Sequence, residues 1–322
     1  MALSTDKPII AVCGATGFQG GSVVRHLLRD GRFAIRALTR KPNSAQAREL
    51  ANLGVAVVRA DFDDLPSLCE AFKGCYGVFG VTDYFEAFDK EAQQGYNIVD
   101  AAKATGIKHL VLSTGAVVPY EIMVFTHKAA TSAYLRKSGV PFTLFYTSFY
   151  YSNLSLFDAF VRDPKTGGWR LDFPFPTDVP LPSVSPRDIG AFILGAFASP
   201  SEWVGGEMKV VSEYISLRQY GEILAEVTGS SVEISETTQE QFLNMQNDSF
   251  RLQSWTAFKW FLDQHLENKP FYSVELAHRL CPDIQTFRGY AKEHVGLPPE
   301  QPMMVHYVRT QERFSEGAIS SQ

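Results

Sequence analysis

The residues with the spacing to do chemistry begin at Gly14, Ala15, Thr16, Gly17, Phe18, Gln19 and Gly20. Three glycines at three-residue intervals suit a tight turn whose backbone can approach an anion closely. If a helix starts there, its unpaired N–H groups and its dipole favour a pyrophosphate. Arg40 and Lys41 follow further on. A guanidinium holds a phosphate through two parallel hydrogen bonds, and a neighbouring ammonium adds charge. No Asp or Glu lies between Arg32 and Arg48. The acid that would accept from the ribose hydroxyls of NAD is therefore missing, and the 2′-phosphate of NADP is the expected ligand. Asp61 can accept from an adenine amino group, and Phe62 can cover the ring.

These residues need a frame that brings them to one edge. Residues 9–13 form a continuous apolar run, as in a central strand covered on both faces. Val23, Val24, Leu27 and Leu28 then fall at helical spacing. The pattern repeats. Strands are predicted at 33–39, 55–60, 76–81, 109–112 and 141–146, with helices at 44–53, from Pro66 to about Gly74, at 86–105 and at 128–137. Arg40, Asp61 and Phe62, the run Thr82, Asp83, Tyr84 and Phe85, and the turn Ser113, Thr114 and Gly115 all follow strands, at the carboxyl edge where open sheets bind ligands. The alternation predicts a doubly wound parallel sheet of order 3-2-1-4-5-6.

Beyond Asn153 the character changes. Residues 163–182 are rich in proline and glycine and read as a loop or short hairpin. A helix is predicted from Ser185 and Pro186 to residue 198, a strand at 208–212 and a helix at 216–227 closed by Gly229. Thr237 and Glu240 have capping-box spacing. An aromatic-rich helix at 250–266 carries Trp255, Phe258, Trp260 and Phe261, and 283–293 reads as a last helix. The expected division is a dinucleotide-binding domain over 1–154, to which 183–212 return, and a smaller domain over 155–322 with a loosely held tail from Gly296.

At 322 residues and 45% hydrophobic content the chain has ample material for a core, and a net charge of −5 gives no basic surplus for nucleic acid. The N-terminus lacks the pattern of a signal peptide, and no apolar run is long enough to span a bilayer. Cys13, Cys69, Cys75 and Cys281 lack metal-ligand spacing and read as reduced thiols of a cytoplasmic or nuclear protein. No metal is expected.

Taken together, the glycine turn, Thr39–Pro42, Asp61–Asp64, Thr82–Tyr84, Lys128 before a helix ending at Gly139, the run from Tyr150 to Leu154, and Val184–Gly190 resemble the NmrA-like family of atypical short-chain dehydrogenase/reductases over about residues 8–295. The resemblance implies an NADP(H)-preferring Rossmann domain with a smaller C-terminal α+β substrate domain. It implies cofactor contacts at the 14–20 turn, Arg40, Lys41, Asp61, Phe62, Thr82, Asp83, Tyr84, Lys128, Tyr150, Tyr151, Ser152 and Asn153. Gln93 departs from the pattern, since some redox-sensing members resembling this chain carry a lysine there.

Typical short-chain dehydrogenases use a Tyr-x-x-x-Lys pair for proton exchange. Here Tyr120 is followed four residues on by Val124, and Tyr134 by Ser138, so the pair is absent. The related isoflavone-reductase-like enzymes place a lysine where this chain has Lys128 and use it as acid or base. Two readings stand: an NADPH-dependent reductase of small, largely apolar carbonyl or enone-type substrates with Lys128 as the proton-handling group, and a non-catalytic NADP(H) sensor that engages a regulatory protein. His127, beside Lys128, is a weaker proton-donor candidate.

Overall fold

The computed structural model describes residues 7–295, except 120–122, 157–158, 164–165, 237, 239 and 242–248; the tail from Gly296 lies outside the described residues. The chain divides into two units: Met1–Thr147, Pro186–Val211 and Tyr272–Ile284 form the first, and Ser148–Ser185, Ser212–Phe271 and Gln285–Gln322 the second.

In the first unit the apolar run becomes β1 (Ile9–Val12), flanked in parallel by β2 (Ala34–Thr39) and β4 (Gly77–Gly80). Val12 stands opposite Ala37 on one side and Phe79 on the other. β3 (Ala56–Arg59), β5 (His109–Thr114) and β6 (Phe142–Tyr146) extend the sheet in the predicted order. A seventh strand, β11 (Glu207–Lys209), pairs in parallel with β6 at the edge. β4 and β5 are buried throughout and β1 from Ile10 on, since helices cover both faces. Those helices are α1 (Phe18–Asp30), α2 (Ala45–Asn52), α3 (Leu65–Phe72), α5 (Glu91–Ala104), α6 (Met123–Ser138), α8 (Ile189–Ala198) and α12 (Val274–Leu280), with single turns α4 (Tyr84–Ala87) and α9 (Pro200–Trp203).

Local chemistry sets the boundaries. Ser44 caps α2 by accepting from Ala47 N, and Asp64 caps α3 by accepting from Ser67 N. The helix expected over 86–105 is in fact broken. Phe88 has φ 48, in the left-handed region that side chains rarely adopt, so α4 ends after one turn and α5 starts afresh at Glu91. The helix expected to begin at Lys128 begins at Met123, because residues 123–127 hold no glycine or proline to stop it. Lys128 therefore lies in the second turn. A 3-10 turn, Pro186–Asp188, precedes α8, and Ser185 Oγ donates to Gln285 Oε1 (2.6 Å).

The second unit holds two small sheets. β10 (Leu181–Val184) lies between β7 (Phe149–Tyr150), parallel, and β12 (Glu213–Ile215), antiparallel. The stretch expected as a loop or hairpin, 163–182, contains β9 (Trp169–Phe173), which pairs antiparallel with β8 (Phe160–Arg162) just before it and in parallel with β13 (Val232–Glu236). α7 (Asn153–Leu156), α10 (Leu217–Thr228), α11 (Ser249–Leu266) and α13 (Phe287–His294) complete it. α10 starts in a full capping box at Ser216 and Gln219 and ends on Gly229 in the left-handed region. Thr237, from which a capping box is expected, lies outside the described residues, as does Gln239; Thr238 N donates to Gln241 Oε1 and Gln241 N to Thr238 Oγ1. The last helix starts at Phe287, capped by Thr286, and not at Asp283. The aromatic helix packs as core: Phe258 lies 4.6 Å from Phe173, ring to ring.

Among the described residues no helix is long and apolar enough to cross a membrane, and no group of three His, Cys, Asp or Glu is placed to hold a metal ion.

Candidate functional site

The glycine turn is built as a cradle. Gly14 has φ 59, and its carbonyl accepts from Gly17 N (2.9 Å). A Cβ on Gly20 would stand 2.2 Å from the Gly14 carbonyl oxygen, so only glycine lets α1 meet the strand end this closely. No side chain caps α1, unlike α2 and α3. Its first N–H groups are thus left for an anion. Ala15 is buried, Thr16 and Gly17 are exposed, Phe18 is half-buried, and Gln19 Oε1 is a buried acceptor with no hydrogen-bond partner among the described residues. Open donors and no Cβ in the way fit a dinucleotide pyrophosphate.

At the ends of β2 and β3, Arg40 and Lys41 are exposed. Arg40 Nη2 pairs with Glu86 Oε2 from α4. Asp61 Oδ1 accepts from Asp63 N (3.1 Å), and Phe62 is half-buried. α5 is stitched to this edge: Asn97 Nδ2 donates to the Phe62 carbonyl (2.8 Å) and Gln94 Nε2 to Asp63 Oδ1 (3.0 Å). Gln93 donates to Asn97 Oδ1 (3.0 Å) and serves this seam from within the helix.

After β4, Asp83 caps α4 by accepting from Phe85 N (2.9 Å). The Tyr84 ring meets those of Phe85, Phe88 and His127. Lys128 Nζ donates to the Thr82 carbonyl (2.9 Å), to Thr82 Oγ1 (3.1 Å) and to Glu91 Oε1. Thr82 Oγ1 in turn donates to Glu91 Oε1 (2.8 Å), closing a ring of bonds. An ammonium has three donors, and all three are matched here. The other oxygen, Glu91 Oε2, is buried with no hydrogen-bond partner among the described residues and lies 3.9 Å from His127 Nδ1. Thr114 Oγ1, at the end of β5, bonds the Lys128 carbonyl (3.1 Å) and fixes that turn of α6 to the sheet edge.

The structure therefore brings the 14–20 turn, Arg40, Lys41, Asp61, Phe62, Thr82, Asp83, Tyr84 and Lys128 to the carboxyl edge of one sheet. Tyr150, Tyr151, Ser152 and Asn153 belong to the second unit. There Tyr151 is fully buried, donates to Glu213 Oε1 (2.6 Å) and packs on Phe287; burial and that carboxylate hold its hydroxyl well above the ordinary range. Ser152 is buried, while Tyr150 and Asn153 are half-buried. Two acids, Glu86 and Glu91, join the site without having been singled out from the sequence. They are two of the four acids between residues 83 and 91, and only the fold shows that one reaches Arg40 and the other is buried against Lys128. Tyr134, the one tyrosine of α6, is exposed and donates to Asp100 Oδ1 (2.8 Å), so it has no lysine to act with.

Known proteins give this geometry a context. An NmrA-like family oxidoreductase of Aspergillus hancockii is 32% identical over 286 residues, covering 81% of this chain and 80% of its own. NmrA, a negative transcriptional regulator solved with NADP and also with NAD, shares the fold: in the NADP complex the TM-score is 0.74 at 23% identity, over 90% of this chain and 95% of NmrA. So does the NADPH-dependent quinone oxidoreductase of Escherichia coli, solved with NADPH, at a TM-score of 0.70 and 22% identity, over 88% of this chain and 99% of that one. The model of the NmrA-like family matches residues 6–291, so nearly the whole described fold, from β1 to α13, is accounted for by one ancestry, and the chain belongs to the NmrA-like family.

Proposed function

We propose that this chain is an NADPH-dependent oxidoreductase acting on a small, largely apolar carbonyl or enone-type substrate. The observation that carries it is Lys128: an ammonium held at the sheet edge by Thr82 and a buried carboxylate, in the same unit as an uncapped glycine turn. The names of the relatives, oxidoreductases of this family, support the same class of reaction. The 14–20 turn takes the pyrophosphate, Arg40 with Lys41 the 2′-phosphate, and Asp61 with Phe62 the adenine. NADP(H) is thus preferred over NAD(H). The bound dinucleotide supplies a hydride to the substrate carbon. Lys128 Nζ gives the proton to the carbonyl oxygen, which requires it to release one of its three present acceptors. Thr82 and Glu91 hold the ammonium at that place, and the amine left after the transfer regains a proton from solvent.

A second reading rests on the same saturation. With every Lys128 N–H matched, the lysine is an anchor, and the chain is a dinucleotide-binding redox sensor that engages a regulatory protein in the cytoplasm or nucleus. Purified protein assayed with NADPH against enones, quinones and ketones separates the two. Turnover that collapses in Lys128→Ala while NADPH still binds is the result expected. Tight NADPH binding with no turnover across the panel, together with a co-purifying partner, overturns the enzyme in favour of the sensor.

A further inference from the structure

The acid missing after β2 is supplied from elsewhere in the fold. β2 and β4 are the two neighbours of β1. Arg40 follows β2 directly, and Glu86 lies in α4 just beyond β4. Their side chains meet in an ion pair, so the pair bridges the carboxyl end of β1, where the Gly14 turn begins. Both partners remain open to a ligand, with 54% and 31% of their side chains exposed.

We propose that Glu86 is a cofactor-specificity residue, which works against NADP(H) and for NAD(H) at the Arg40 site. This inference rests on the reading of Arg40 as the 2′-phosphate contact. A 2′-phosphate must displace the Glu86 carboxylate from the guanidinium and then lie beside a like charge. A 2′-hydroxyl needs no displacement and donates to the same carboxylate, as the acid after the second strand does in other NAD-binding folds. The arginine that suits NADP and the acid that suits NAD thus occupy one place, one from each side of β1. Position 86 belongs to a one-turn helix released from α5 by the break at Phe88. That break is what sets the carboxylate within reach of Arg40.

The test is equilibrium titration of NADPH and NADH by fluorescence with wild type, Glu86→Gln, Glu86→Ala and Arg40→Asp. Both Glu86 variants are expected to bind NADPH up to about fivefold tighter, the upper end for an exposed ion pair, and NADH no tighter than wild type, so the NADPH/NADH preference rises. An unchanged preference in both, with Arg40→Asp still losing NADPH selectively, overturns the role of Glu86 alone. If Arg40→Asp leaves the preference where it was, the 2′-phosphate reading fails, and the role of Glu86 with it.

Discussion

The Lys128 ammonium on α6 is paired with the carboxylate of Glu91, the first residue of α5, whose side chain is only 1% exposed. Two charges withdrawn from water need good geometry and additional hydrogen bonds to balance the loss of hydration. Thr82 supplies them, donating to the carboxylate and accepting from the ammonium through one hydroxyl. The pair therefore joins α5, α6 and the end of β4 at the point where a ligand is expected, and its strength is measurable without any substrate.

Removing one partner strands the other. Glu91→Gln is expected to lower the unfolding free energy by about 3 kcal/mol, and Lys128→Met by a similar amount. The double variant should cost less than the sum by at least about 1 kcal/mol, since the stranded charge is gone. Urea unfolding of the four proteins gives the cycle. Additive costs would show that the two charges do not support one another.

The sheet was legible in the sequence because its signals are local. The run from Ile9, the glycine turn and the stripe Val23, Val24, Leu27 and Leu28 need no distant partner to be read, and the strand order follows from alternation and handedness. The close of α10 at Gly229 announced itself for the same reason. Glu86 and Glu91 did not. In the stretch 83–94 they look like a solvated face, and nothing local marks Phe88 as the residue that turns one long helix into two. The true start of α6 was hidden too, because Val124, Phe125, Thr126 and His127 are weak helix formers by themselves. Burial and the approach of separate helices decide these positions, and both are properties of the packed chain.

His109 offers a pH test of the core. It is fully buried in β5, and its Nε2 lies 2.8 Å from Thr143 Oγ1. The Thr143 hydroxyl donates its own hydrogen to the Trp203 carbonyl (2.7 Å), so the Nε2–H must be the donor to Thr143. Nδ1 is left bare, with no partner among the described residues. Burial pushes the imidazole down from 6.5 to about 4. Above pH 6.5 neither folded nor unfolded chain binds this proton. As the pH falls, the unfolded chain takes it up first, so stability is lost from 6.5 down to about 4 and then levels. The loss amounts to about 3 kcal/mol. Urea unfolding across this range, compared between wild type and His109→Gln, should show that extra slope in wild type alone; parallel profiles would refute it.

The last prediction concerns how α5 and α6 come close enough for Glu91 to meet Lys128. One turn along α5 from Glu91 lies Gly95, and opposite it on α6 is Thr131. A Cβ on Gly95 would stand 2.2 Å from Thr131 Oγ1 and 2.6 Å from its Cγ2, but 3.0 Å from its Cβ. Gly95→Ala must therefore push the helices apart, at a cost of about 1–3 kcal/mol for overpacking. The extra methyl also falls within a turn of the Lys128 pair, so NADPH-dependent turnover should fall with stability. Thr131→Ala removes both of the nearer atoms and leaves the one at 3.0 Å, a contact that a shift of a few tenths of an ångström relieves. The double variant Gly95→Ala with Thr131→Ala is thus expected to regain most of the stability lost by Gly95→Ala. Thermal or urea unfolding of the three variants decides it: if the second substitution worsens the first, the glycine serves the backbone of α5 and not the approach of α6.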